Sequence, residues 1–178
     1  MEKPLEGEYN PYFDRYINLV PDGDFHELLM ANSDKAVRFF ESIPPEKHDY
    51  RYANNKWSIK ESLMHLIDTE RVMSYRALVA IRADTTTLLN DMDENRYAAN
   101  ADVDGRSLTS LIAEFAAVRS ATISLYRYIT EAQSRFRARG TSYPFTARAL
   151  GYIMIGHVEH HFNVITQRYL YGEGLSLR

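Results

Sequence analysis

The stretch that decides the fold is TARALGYIMIGHVEHHFNVITQRYL, residues 146–170. Apolar residues recur through it at steps of three and four, the repeat of a helix that buries one side. Thr146 stands where a capping residue opens such a helix, and Gly172 falls where a glycine closes one. Three of the chain's six histidines sit within five positions of this stretch, as His157, His160 and His161. At about 100° per residue, His161 lies roughly 40° from His157, and Leu150, Met154 and Val164 fall within roughly 60° of it. His157 and His161 therefore share the apolar side. Glu159 and Asn163 face the other way, as surface groups, and His160 sits nearer the polar edge.

Working outward, the same spacing returns three more times. Phe25, Leu28, Leu29, Asn32, Ala36, Phe39 and Phe40 mark a helix over 25–42 with Asp24 as its N-cap, ended by the prolines at 44 and 45. A second helix spans 58–82. Ser58 and Glu61 form a capping-box pair, and Trp57 is placed as a hydrophobic staple. A polar connection, 83–106, follows, with one helical turn at MDENRYAAN. The third long helix covers 107–131 on the stripe Leu108, Leu111, Ile112, Phe115, Val118, Leu125, Tyr126 and Ile129. SRFRARGTSYPF reads as a loop, and no stretch alternates as a strand ladder would. Four long amphipathic helices with one long crossover make an all-α four-helix bundle. Residues 1–24, rich in Pro, Gly and Tyr, read as an extended arm packed on the bundle by its aromatics. The bundle runs over 25–172, and 173–178 form a tail.

Composition narrows the function. Hydrophobic residues are 45% of 178, enough for one buried core, and a net charge of −3 with no basic patch argues against nucleic acid. Apolar runs fall short of the ~20 residues a membrane helix needs, and no leader-like segment opens the chain. We therefore expect a cytoplasmic protein with a small-molecule substrate, no membrane or nucleic-acid partner, and pairing into a homodimer through a helix face. There is no cysteine, so any metal must sit on nitrogen and oxygen, and any thiol chemistry must use a thiol from outside.

Histidines at i and i+4 leave a helix one above the other and can converge on one ion. The alternative is a pair of core imidazoles satisfied by hydrogen bonds. A buried neutral imidazole leaves polar nitrogens to satisfy, which favours a bound ion. Two ligands do not close a site, and His26, His48 and His65 remain as sources of a third. His26 and His48 read as surface groups. His65 points away from the stripe Ile59, Leu63, Leu66, Ile67, Met73 and Ile81, beside Ser62, Asp68, Thr69 and Val72. That side is either solvent-facing or the wall of a polar pocket. Glu61 and Asp68, one turn either side of His65, could orient its ring or serve as a base. Glu70 reads as surface. Tyr12, Tyr16, Tyr152 and Tyr169 could line a pocket. Arg148 reads as a solvated helix-end charge that could also hold an anion.

WSIKESLMHLIDTER (57–71), followed by GHVEHHFNVITQRYL (156–170), resembles the DinB-like superfamily, and the arm YNPYFDRYINLVPDGDF (9–25) is similar to one branch of it. The resemblance covers nearly the whole chain. It implies a four-helix bundle holding one divalent ion on His65, His157 and His161, with His160 outside the site. Zinc or nickel would suit such ligands, and iron or manganese are admissible. It also implies a metal-dependent enzyme, of the thiol S-transferase type, in which a low-molecular-weight thiol attacks an epoxide, halide or activated alkene. The alternatives are a metal-dependent hydrolase of esters or amides and a non-catalytic, stress-related metal-binding module. The HExxH pattern of many hydrolases is missing, because residue 158 is Val.

Overall fold

The computed structural model of the chain describes residues 1–171. Seven helices and three short strands follow one another: α1 (Asp14–Ile17), α2 (Phe25–Glu41), α3 (Ile59–Ile81), β1 (Leu88–Leu89), α4 (Glu94–Asn100), α5 (Leu108–Tyr126), α6 (Glu131–Ser134), β2 (Arg137–Gly140), β3 (Phe145–Thr146) and α7 (Ala147–Ile165). The four long helices α2, α3, α5 and α7 form the bundle. α7 continues into a π-helical turn at Thr166–Leu170. Gly172 and the tail expected at 173–178 lie outside the described residues.

The helix starts are fixed by side-chain caps that supply acceptors to first-turn N–H groups. The Asp24 carboxylate accepts from His26 N and Glu27 N. Ser58 and Glu61 close both halves of a capping box on α3. Ser107 and Thr146 accept from Ser110 N and Ala149 N. The third helix stops at Tyr126, earlier than expected, and a separate turn capped by Thr130 follows.

In section, α5 and α7 each lie between α2 and α3, so helices consecutive in the pairs α2/α3 and α5/α7 are diagonal. Lys60 Nζ at the start of α3 reaches the Arg106 carbonyl at the start of α5, at 3.2 Å, so those helices are parallel. Residues 82–107 therefore return along the bundle as the long crossover. The loop before α7 is not free of strand, as its sequence suggested. β2 pairs in parallel with β1 from the crossover and antiparallel with β3, which clips the crossover to the root of α7.

The N-terminal segment differs from an extended arm. Pro11–Phe13 and α1 are helical turns that bury Tyr16, Ile17 and Val20 against α7. Gly156 permits this close approach, since a Cβ there would stand 2.0 Å from the Tyr16 carbonyl oxygen. Glu8 anchors the segment by accepting from Thr146 Oγ1 (2.9 Å) and Arg148 Nε (2.7 Å). Arg148 is thus buried and ion-paired, not solvated.

Two apolar clusters fill the bundle, one around Phe25, Tyr126, Leu150 and Ile153, the other around Phe40, Leu63, Phe115 and Phe162. A buried polar layer separates them. Arg119, fully buried, donates from Nε and Nη2 to Glu70 at 2.6 and 2.7 Å and from Nη1 to Asn32 Oδ1 at 2.7 Å. Asn32 passes the chain on to Glu159, which also takes Lys35 Nζ at 2.5 Å. Glu70 and Glu159 are therefore structural groups, not the surface charges their helical positions suggested. α5, with a mean hydropathy of 1.3, is long and apolar enough by length and composition to cross a membrane, which the sequence reading did not expect. Here it is a bundle helix that contributes Arg119 to the polar layer.

Candidate metal centre

The histidines lie in that polar layer. α7 presents His157 and His161 from successive turns, and α3 presents His65 opposite them. His65 Nε2 is 3.2 Å from His157 Nε2, and His161 Nε2 is 3.1 Å from the same atom. One ligand atom from each of the three lies within 4.8 Å of the other two. All three are buried, at 6%, 7% and 9% exposure. His65 therefore faces a pocket and not solvent, the second of the two readings its position allowed. The Trp57 ring lies 4.6 Å from it, tilted by 42°, and covers the imidazole. Thr69 Oγ1 stands 3.5 Å from His65 Nδ1.

The electrostatics suit neutral imidazoles. Burial pushes His65 down to about 4 and His161 down to about 3, and holds His157 well below its usual value, with the neighbouring histidines adding to the effect. Three neutral rings with their Nε2 atoms converging cannot all satisfy one another, since one N–H can serve only one facing lone pair. His161 Nδ1 is buried without a hydrogen-bond partner among the described residues. Nitrogens about 2.0–2.1 Å from a shared ion would stand roughly 3.3 Å apart in a tetrahedron and roughly 2.9 Å apart at right angles. The two separations to His157 Nε2, 3.2 and 3.1 Å, lie between those values, and all three ligand atoms stay within 4.8 Å of one another, so the donor set fits a divalent cation.

The other residues singled out in the sequence fall elsewhere. Glu61 accepts from Ser58 N at 2.6 Å and pairs with Arg51. Asp68 faces Arg71 at 3.8 Å. Neither carboxylate is bonded to a histidine of the cluster. His26 and His48 are half-buried, and His48 Nε2 meets the Ile43 carbonyl. His160 lies outside the group, its ring 5.3 Å from that of Tyr16. Tyr16 also packs 5.0 Å from His157 and, with Tyr12, lines the cavity described next. Tyr152 and Tyr169 instead donate to the Met1 and Trp57 carbonyls.

A cavity of about 410 Å³ opens from His65 and His157 toward the crossover. Thr69, Met73, Phe145 and Ile153 form its walls, with Asp91, Asp93 and Glu94 at the exposed rim. Arg76 also lines it and went unnoticed in the sequence. The signal was there: eleven residues beyond His65, Arg76 lies about 20° from it around the helix.

Comparison with known proteins agrees with this architecture. The family model for the DinB superfamily matches residues 29–165. No curated protein matches significantly. Among solved structures, YfiT from Bacillus subtilis, described as a probable metal-dependent hydrolase with an unusual four-helix bundle topology, superposes with a TM-score of 0.66 at 19% identity. That match covers 93% of this chain and 90% of YfiT. The mycothiol-dependent maleylpyruvate isomerase superposes with a TM-score of 0.66 at 10% identity, over 83% of this chain and 61% of that one.

Proposed function

The chain belongs to the DinB superfamily, and from that membership and the geometry of its polar layer we propose that His65, His157 and His161 hold one divalent cation for a thiol-dependent transfer reaction. The observation that carries this reading is the convergence of three buried imidazoles beside a cavity. Three nitrogen ligands would leave at least one position for an exogenous group, the arrangement of catalytic as opposed to structural sites. A divalent cation so placed supplies a Lewis acid that favours loss of a proton from a bound thiol or water. The protein's own groups then do the positioning. Trp57 and Thr69 fix the His65 ring, Tyr16 covers His157, and Met73, Phe145 and Ile153 give the cavity an apolar wall.

Hydrolysis is the second reading, and the fold shared with YfiT over most of both chains supports it. The engagement of Glu61 and Asp68 away from the histidines favours the thiol reading, because hydrolysis gains most from a base beside the attacking water. Zinc- or nickel-loaded protein should be incubated with bacillithiol, mycothiol or glutathione and a reactive alkyl halide. Metal-dependent thioether formation with one of these thiols is the expected result. Ester cleavage without turnover of any thiol would replace this reading with hydrolysis, and no turnover in either assay would leave a metal-binding module.

A further inference from the structure

Among the described residues, three arginines are buried. Arg119 is matched by Glu70 and Arg148 by Glu8. Arg76, 5% exposed, forms no ion pair among the described residues. Its Nη2 donates to the Asn90 carbonyl at 2.6 Å, its Nη1 donates to the Met73 thioether at 3.7 Å, and its guanidinium carbon lies 5.7 Å from the centre of the Phe145 ring. A buried cation without a counter-charge is costly unless something else supplies the anion. The side chain lines the cavity that opens from His65 and His157, and it is the one lysine or arginine among the described residues to do so.

We propose that Arg76 binds the carboxylate of a small-molecule substrate or co-substrate whose reacting end lies at the histidines. This rests on the reading of those histidines as the reactive centre. The spacing also sets the shape of the ligand. Arg76 follows His65 by three turns, about 16 Å along the helix axis. Arg76 leans back along the helix toward its N-terminus, and Met73, Phe145 and Ile153 line the same cavity as both residues. The ligand is therefore a carboxylate joined to its reactive group by an apolar spacer. The guanidinium offers a planar fork that matches a carboxylate. Of the acids at the rim, Asp91 acts on Arg76 through its charge, but Asp91, Asp93 and Glu94 are all exposed, where charge is screened, and none forms an ion pair with it.

The test is titration calorimetry with hexanoate and its neutral amide at constant ionic strength, on metal-free and nickel-loaded protein. Wild type should bind hexanoate in both forms, about tenfold or more tightly than hexanamide. Arg76→Met should lose that preference while its metal content matches wild type. Arg76→Lys, which keeps the charge, should retain part of the preference and covers the case in which the methionine variant does not fold. Equal binding of acid and amide by wild type overturns the proposal, as does an undiminished preference in Arg76→Met. Loss of metal binding in wild type with the carboxylate preference intact would sink the metal reading alone.

Discussion

Substituting Gly156 by alanine tests how tightly the N-terminal segment is built onto the reactive end of α7. A Cβ at this position would lie 2.0 Å from Tyr16 O, 2.4 Å from its carbonyl carbon and 3.0 Å from its Cα. Ordinary contact begins near 3.4 Å, so α1 must retreat by about 1.4 Å. That movement is resisted by Tyr16, Ile17 and Val20, all buried, and by Glu8, held to Thr146 and Arg148. Overpacking of this kind costs about 2–3 kcal/mol, while replacing glycine inside a helix returns about 1 kcal/mol. The net loss should be about 1–2 kcal/mol, which for a chain of this size lowers the melting midpoint by about 2–8 °C. Urea and thermal unfolding followed by circular dichroism read it directly. Gly105→Ala is the control, because nothing lies within 4 Å of the added atom. A Gly156→Ala variant as stable as wild type, or more stable, would refute the docking of α1 on α7.

Glu70→Gln removes the counter-charge of a fully buried Arg119 and should cost about 3–5 kcal/mol in chemical denaturation, whereas the double change Glu70→Leu with Arg119→Met should restore much of it. The pH dependence of stability should contain a contribution from Glu8. Burial alone would raise its pKa, but the bonds from Arg148 and Thr146 outweigh burial and lower it below the usual 4.5. Its contribution is therefore full above the unfolded value and lost as pH falls through the lower folded one. Wild type should lose its stability advantage over Glu8→Gln as the solution is taken below about pH 5, and two parallel stability curves would contradict this. Tyr126→Phe removes a buried hydroxyl that donates to the Ala147 carbonyl at 2.7 Å, and should cost about 1–3 kcal/mol in the same assay.

Helix type and helix starts were legible because both are local. Asp24, Ser58 and Thr146 act within three residues of themselves, and the apolar repeat needs only its own helix. The pairing of buried charges was not legible. Glu70 meets Arg119 and Glu8 meets Arg148 across elements far apart in the chain, and Glu70 and Arg148 alone read as surface groups. His65 shows the limit of a helical wheel. It assumes one buried side, but α3 also buries His65, Thr69 and Arg76 away from its apolar stripe. Trp57 covers His65 and Phe145 lies over Arg76 on that second side, and both belong to segments with no helical repeat to read. The strands escaped notice because two of them are two residues long and their pairing depends on the crossover.

The central claim is that three imidazoles from α3 and α7 share one cation. Elemental analysis after metal loading and dialysis, on wild type and on His65→Ala, His157→Ala, His161→Ala and His160→Ala, tests it most directly. Wild type and His160→Ala should carry about one divalent ion per chain, and the other three should lose most of it. Full metal content in any of those three, or none in wild type, would contradict the account.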